Sequence, residues 1–463
     1  MNKIFLSLSL VAGLMFTSCS DFLDKEPTTA LPVDGTITSA ADLKFAVNGV
    51  AYPMTVERMT YASEFGIYAD LLTNNYKIVK DNGQASPIAF YTVDKTHQFS
   101  EVPYFYFYKC IAEANKAIDE AANLQQTEEV TDLIGQLYAW RGMLHFDLAR
   151  MFAHIPSTVA NTSEAQSGIV LATEVYLPEY LAVRNTLKET YDQIIADLTK
   201  GAEMMADESE LGYFNKYAAI ALRSRAYLYM GEYQKAIDDA NTVINSGNYS
   251  LYTKDDYAKV WIQEGTSESI FELLITSNYT PQRYAIGYYS DYDGYSEMAF
   301  DENGALYKYL STHPKDVRSK TIKDQTNAPK NGAYYPGKFP GRDGNLYVNN
   351  PKIIRLSELY LIAAEAYVNL GKGDKAAEYI NTLLRNRIED YQDVATVTID
   401  DVINQYVYEM YQENQIAFAY WRNKKSVTSI TNKEVKYNAE NNILPIPQCE
   451  IDLNADLKQN PGY

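Results

Sequence analysis

Cysteine is nearly missing from this 463-residue chain, which has only Cys19, Cys110 and Cys449. So few thiols exclude a cysteine-ligated metal centre. Histidine is almost as scarce, and His97, His145, His154 and His313 lack the spacing of metal ligands. The chain has no nucleophile elbow, no phosphate-cradling glycine loop and no zinc-protease helix, so neither a cofactor nor catalysis is expected. Positive charge is short as well: 41 Lys and Arg stand against 60 Asp and Glu, a formal charge of −19. Nucleic acid and anionic lipid surfaces recruit clustered cations, so this balance excludes both as partners. Apolar runs are brief. The longest, Ile4 to Phe16, is too short to span a membrane and follows Lys3 in the manner of a signal peptide.

Tyrosine is what the chain has in plenty, at 41 residues against 16 Phe and 3 Trp. A tyrosine buries its ring while leaving a hydroxyl to bond, so this excess suits wet aromatic surfaces as well as a core. The strongest pattern is a repeated helical hairpin. Leu222, Ala226, Tyr227, Gly231 and Ala236 recur in register as Ile362, Ala366, Tyr367, Gly371 and Ala376. In the first copy Ala219, Leu222, Ala226 and Met230 share a helical face, Gly231 breaks it, and Ala236, Ile237 and Ala240 form a second face. Small residues at the contact let two backbones approach closely, the packing of tetratricopeptide-type hairpins. Lys116 to Ala121 nearly repeats Lys235 to Ala240. The fold class is therefore mainly α, a frame of hairpins with an irregular, loop-rich lobe inserted between them.

Residues 1–18 read as a signal peptide whose end, Phe16-Thr17-Ser18-Cys19, resembles a lipobox with Cys19 as the lipid-bearing residue. Residues 19–37 form a polar tether. The rest, 38–463, reads as one body: a helical frame over 38–247 and 351–425, a lobe over 248–350 and a terminal segment from 426. Cys110 and Cys449 are equally compatible with a disulfide and with two free thiols. Thr38 to Met54 is a helix with Ser39 as N-cap. Helical form is expected to continue from Glu57 to Leu72, where Asp70, Asn74, Asn75 and Tyr76 offer groups that bond hydroxyls. Asp81 to Glu101, with Phe90, Tyr91 and His97, reads as a functional loop. The aromatic run Tyr104 to Tyr108 belongs to the first turns of a long helix reaching Leu124. Further helices cover Leu133 to Phe152 and Asn185 to Met205.

The lobe holds a dense cluster, Tyr279, Tyr284, Tyr288, Tyr289, Tyr292 and Tyr295, interleaved with Arg283, Asp291 and Asp293. Tyr334, Tyr335 and Tyr347 follow. The apolar C–H faces of a pyranose stack on such rings while its hydroxyls need Asp, Asn and Arg at the rim. Candidate ligand residues are Asp70, Asn74, Asn75, Tyr76, Tyr279, Arg283, Tyr284, Tyr288, Tyr289, Asp291, Tyr292 and Tyr295. Asp291 and Asp293 have the spacing of hydroxyl acceptors or of a solvated turn, which suits them better than glycosidase chemistry.

At the carboxyl end Asn442-Ile443-Leu444-Pro445-Ile446-Pro447-Gln448, Glu450-Ile451, Asn454, Leu457 and Gln459-Asn460-Pro461-Gly462-Tyr463 resemble the terminal signature of the SusD/RagB family. The start from Cys19 to Asp24 with Pro27, the stretch Arg141 to Pro156, and Arg355 to Tyr367 closing with Asn381 and Arg385 are similar to other family segments. One stretch departs. The chain keeps Glu409, Glu413 and Trp421 but has Ala417, Phe418, Tyr420 and Asn423, so rings are expected in place of a charged network there. The resemblance implies a surface-exposed lipoprotein anchored in the outer membrane of a Bacteroidetes bacterium. Such a protein is a lid on a SusC-like, TonB-dependent transporter and captures oligosaccharides, or peptides in the RagB branch, without cleaving them. It also implies that the frame faces the transporter and the lobe faces ligand. A helical-repeat scaffold that binds protein is the contrasting reading. Replacing Tyr288, Tyr289 and Tyr292 by Ala is expected to abolish small-ligand binding and leave a scaffold's protein partner bound, as read by calorimetry and co-purification.

Overall fold

The computed structural model describes residues 35–177 and 179–463. The signal peptide, Cys19 and most of the tether lie outside the described residues.

The first four long helices start where the sequence supplies a cap. In α1 (Ala40–Val56) the Ser39 hydroxyl accepts from the Asp42 amide, and in α2 (Gln98–Ala121) His97 Nδ1 accepts from the Phe99 amide at 3.0 Å. His97 is thus a helix cap rather than a loop residue facing ligand. Thr127 caps α3 (Glu128–Phe152), and Thr186 with Glu189 forms a capping box on α4 (Leu187–Met204). Helix α2 takes in the whole run Tyr104 to Tyr108. The expected continuation from Glu57 to Leu72 fails. Met59 has a left-handed backbone at φ 63°, so the chain turns there and resumes only as a 3-10 turn, Glu64–Ile67, and a short helix, Tyr68–Leu71.

The repeated hairpin is α5 (Lys216–Met230) with α6 (Tyr233–Ile244), and again α7 (Leu356–Asn369) with α8 (Gly373–Arg385). Gly231 and Gly371 sit at the two turns with φ of 75° and 72°, a backbone that glycine adopts without strain. Ala219, Leu222, Ala226, Ala236, Ile237 and Ala240 are all buried, as are Ile362, Ala366 and Ala376. Alanine at the contact lets Ser224 Oγ reach the Ala236 carbonyl at 2.7 Å. Successive helices from α1 to α8 pack on one another, and α6 packs on α7 although about a hundred residues intervene in sequence. Arg225 fixes that junction with a fork onto the Glu358 carboxylate at 2.6 and 2.7 Å. Helices α9 (Ile399–Glu409) and α10 (Ile416–Arg422) close the frame.

Strands are few and short. β1 (Tyr76–Lys77) pairs antiparallel with β3 (Ala299–Phe300), and β2 (Ser269–Glu272) pairs across a bulge with β6 (Lys352–Arg355). β4 (Ile322–Asp324) and β5 (Tyr334–Pro336) pair, as do β7 (Val427–Thr428) and β8 (Glu434–Val435). The pair β2 and β6 joins the point where the chain leaves the frame to the point where it returns.

At that junction lies a buried charged network. Arg318, Lys338, Arg355 and Arg387 face Glu268, Asp316, Glu409 and Glu413, and every one is removed from solvent. The expected replacement of charges by rings is therefore corrected. Ala417 and Phe418 fill the core beside the network, Phe418 takes the Arg150 guanidinium over its face at 4.2 Å, and Arg422 forks onto Glu365 at 2.6 and 2.7 Å. The ion pairs were legible only once segments distant in sequence met. Cys110 is buried, Cys449 is exposed, and both are free thiols. No described helix is long and apolar enough to cross a membrane.

Burial pushes the carboxyls of Glu409 and Glu413 up. Arg387, Arg355 and Arg318 around the first, and Arg355 and Lys338 around the second, outweigh it and hold both below the ordinary 4.5. The folded chain thus keeps these groups ionised more firmly than the unfolded chain does. The stability they contribute is full above about pH 4.5 and is lost as pH falls below it. The wild-type urea midpoint is expected to drop steeply in that acid range. Glu409→Ala removes the carboxylate that three buried guanidiniums share, leaving Arg318 to Asp316, Arg387 to Glu268, and Arg355 to Glu268 and Glu413, and is expected to cost about 3–5 kcal/mol; a loss below about 1 kcal/mol in urea unfolding would show the network to be dispensable.

Candidate functional site

The tyrosine cluster is built from three short pieces of backbone. Arg283 and Tyr284 lie on a 3-10 turn, Gln282–Tyr284, and Tyr288 and Tyr289 on the next helical turn, Ile286–Tyr289. The chain then doubles back so that the Tyr295 amide donates to the Tyr288 carbonyl at 2.8 Å. Gly294 makes that return possible, because a Cβ there would stand 1.9 Å from the Tyr288 oxygen. Tyr295 consequently lands edge-on to Tyr288, with ring centres 5.0 Å apart, and 6.4 Å from Tyr284. Tyr347 arrives from elsewhere in the lobe and meets Tyr288 at 5.6 Å. The Arg58 guanidinium lies 4.4 Å from the centre of the Tyr284 ring, held by Gln98 Oε1 at 3.1 Å and Gln84 Oε1 at 3.2 Å. Tyr284, Tyr288, Tyr295 and Tyr347 are half-buried, so each keeps part of its surface open to solvent.

Tyr279 meets a different ring. It is 54% exposed and sits edge-on to Tyr52 of α1 at 5.8 Å. Its backbone pairs with Thr276, which lines a cleft of about 530 Å³ with Glu264, Ser277, Arg342, Asp343 and Asn345. Rings beside a cleft edged by carboxylates, hydroxyls, an amide and a guanidinium offer both demands of a saccharide, a stacking surface and bonds to hydroxyls.

Several expected ligand residues are placed elsewhere. Tyr289 is fully buried, and burial with Glu64 beside it drives its phenol well above the ordinary value. Asp291 is buried too; its carboxylate accepts from Lys323 Nζ at 3.2 Å, Gln325 Nε2 at 3.0 Å and the Asp293 amide at 3.1 Å. It is committed to holding its own loop, and with that the acid and nucleophile pairing with Asp293 falls away. Tyr292 packs beside Ala299, Ala333 and Tyr335 rather than with the other rings.

The early group is interior. The Asp70 carboxylate accepts from the amides of Gln412 at 2.7 Å and Asn414 at 3.0 Å and from the Tyr76 hydroxyl at 3.1 Å. Desolvation raises its pKa to about 7 against the pull of those donors. Asn75 Oδ1 accepts from the Leu306 amide at 3.2 Å, and Tyr76 stacks on Phe300. Asn74 donates its amide to the Thr428 carbonyl at 2.7 Å. Asp70, Asn75 and Tyr76 are therefore corrected from ligand groups to core groups. Of the twelve candidates, Arg283, Tyr284, Tyr288 and Tyr295 come together at the surface, and Tyr279 stands with Tyr52. Arg58 and Tyr347 join the first group, and no local pattern marked these or Tyr52: Arg58 precedes a strained turn, and Tyr347 is remote in sequence.

The architecture, tetratricopeptide-type hairpins carrying a loop lobe, is that of the SusD superfamily. A family model described as starch-binding and associating with the outer membrane matches residues 21–228, and the model of the SusD family matches residues 228–463. The chain belongs to the SusD/RagB family. It is 26% identical to SusD-like protein P2 of Formosa agariphila, over 98% of each chain. A SusD superfamily protein of Bacteroides thetaiotaomicron superposes with a TM-score of 0.84 at 29% identity, covering 91% of this chain and 100% of that one. A laminarin-binding SusD-like protein shares the fold, with a TM-score of 0.73 at 20% identity over 92% of this chain and 100% of its own.

The burial pattern separates two kinds of tyrosine by stability. Tyr289→Ala is expected to cost about 3–5 kcal/mol in urea unfolding, as for other large core rings. Tyr288→Ala, at the surface, is expected to cost about 1 kcal/mol or less. Equal losses would contradict the placement of the two rings.

Proposed function

We propose that the protein captures oligosaccharides on the face formed by Tyr279, Tyr284, Tyr288, Tyr295 and Tyr347, binding them reversibly without breaking a bond. The observation that carries this reading is the packing of four half-buried tyrosines, Tyr284, Tyr288, Tyr295 and Tyr347, into one surface held by Arg58. Such rings accept the apolar faces of sugars, and the neighbouring cleft supplies hydrogen-bonding groups. Membership of the SusD/RagB family and the laminarin-binding neighbour support the same chemistry. In this reading Cys19 carries lipid, the protein is held at the outer surface of the outer membrane, and captured sugar passes to a SusC-like, TonB-dependent transporter.

A rigid platform suits capture and release. The rings are fixed before ligand arrives, so little side-chain freedom is lost on binding, while each stacking contact stays modest enough for release. Calorimetry against a panel of oligosaccharides tests the proposal. Tyr288→Ala combined with Tyr347→Ala is expected to weaken the best ligand about thirtyfold, since each ring contributes on the order of 1 kcal/mol. Peptides bound in place of every sugar would overturn the glycan reading in favour of peptide capture. A protein partner retained by the double variant, with no small ligand bound by the wild type, would favour the scaffold reading.

A further inference from the structure

Two guanidiniums stand at Tyr284. Arg283, next to it on the same turn, is exposed and makes no hydrogen bond or ion pair with any described residue. Arg58 lies over the ring itself at 4.4 Å, and its Nε is buried without a partner. The acidic groups of the loop are engaged elsewhere. Asp291 is paired with Lys323, Asp293 lies with Tyr292, and Glu64, buried, is shared among Arg58, the Met59 amide and Ser63. Arg385, the other exposed arginine among the described residues, forks onto Asp393, whereas Arg283 pairs with no described carboxylate.

The donors at this end of the face are guanidinium N–H groups, which accept nothing. A neutral sugar hydroxyl can accept one bond there but finds no acceptor for its own hydrogen on the guanidinium. A carboxylate or a sulfate uses it well, because an arginine fork matches two oxygens at once and the charge strengthens each bond.

Resting on the glycan reading, we propose that the ligand is an acidic saccharide. Its uronate carboxylate or sulfate ester is held by Arg283, with Arg58 beside it, while the sugar ring stacks on the tyrosines. The chain's net charge of −19 opposes a polyanion at long range. That opposition is screened at physiological salt, where the Debye length is about 8 Å, and the two arginines act within contact distance.

Calorimetry with the full mature chain tests this with three probes: an oligogalacturonate, a sulfated galactan oligosaccharide and a neutral laminari-oligosaccharide. Each is titrated at low and high salt into the wild type, Arg283→Gln, Arg283→Lys and Arg58→Gln. Expected is binding of one acidic probe that weakens with salt, a loss of about tenfold or more in Arg283→Gln, and partial recovery in Arg283→Lys, which restores charge without the fork. Which acidic probe binds tells carboxylate from sulfate. Arg283 is exposed, so its variants are expected to keep the wild-type urea midpoint, whereas Arg58→Gln removes the partner of buried Glu64 and serves only as support. Neutral sugar bound as tightly as either acidic probe without salt dependence, or an unchanged affinity in Arg283→Gln, overturns the acidic ligand and leaves sugar capture standing. Silence toward all three probes together with binding of peptide overturns sugar capture itself.

Discussion

Glu409 is the point on which the architecture turns. A single carboxylate at the end of α9 accepts from Arg355, which ends β6, from Arg387, which follows α8, and from Arg318 in the lobe. These three segments come from different parts of the chain, and none would stay in place with its guanidinium buried and unpaired. A buried ion pair contributes little net stability compared with a well-packed apolar substitute, but breaking one side of it is severe. The network therefore acts as a registration device. It permits one arrangement of lobe on frame and penalises others by leaving charge uncompensated.

The consequence reaches the tyrosines through a short covalent path. Between Glu409 and α10 the chain makes a tight passage in which Gln412 and Asn414 both take left-handed backbones, at φ 59° and 58°. Asp70 pins both amides, and the Gln412 side chain accepts from the Lys338 amide at 3.1 Å and donates to Ser290 Oγ at 3.1 Å. Ser290 directly follows Tyr289, which is rooted in the core. The surface rings of Tyr288 and Tyr295 thus stand on a base whose position is set by buried carboxylates and amides. Strain at two non-glycine residues persists because the surrounding bonds overdetermine it.

A face built this way is suited to ligands that are large, repetitive and weakly held at any one point. Ring stacking is tolerant of sugar identity, and in the proposed reading charge at Arg283 and Arg58 discriminates, so that affinity and selectivity are carried by different residues. Asp70, Asn75, Tyr76, Tyr289 and Asp291 belong to the support beneath, and they show why polar and aromatic residue types near a binding face are poor guides to which of them touch ligand.

Much of the fold was legible in the chain. The α5–α6 and α7–α8 hairpins followed from small residues at helical spacing around Gly231 and Gly371, a local pattern that survives in any tertiary context because it reflects backbone approach. Caps such as Ser39 were equally readable, since they bond within one turn. The tyrosine cluster announced an aromatic face, yet alternation of exposure within it was not readable: Tyr288 and Tyr289 are neighbours, one at the surface and one in the core. The helix expected through Glu57 to Leu72 failed at Met59, whose left-handed backbone turns its amide onto the Ser63 hydroxyl and the Glu64 carboxylate, a local turn that apolar spacing does not reveal. Sequence by itself determined the helices, their pairing into hairpins and the chemical character of the lobe, because each depends on residues within a few turns of one another. Only tertiary structure decided that Arg58 and Tyr347 join the site, that Asp70 and Asp291 leave it, and that Glu409 holds three arginines, because burial and charge pairing are properties of segments that meet only when the chain is folded.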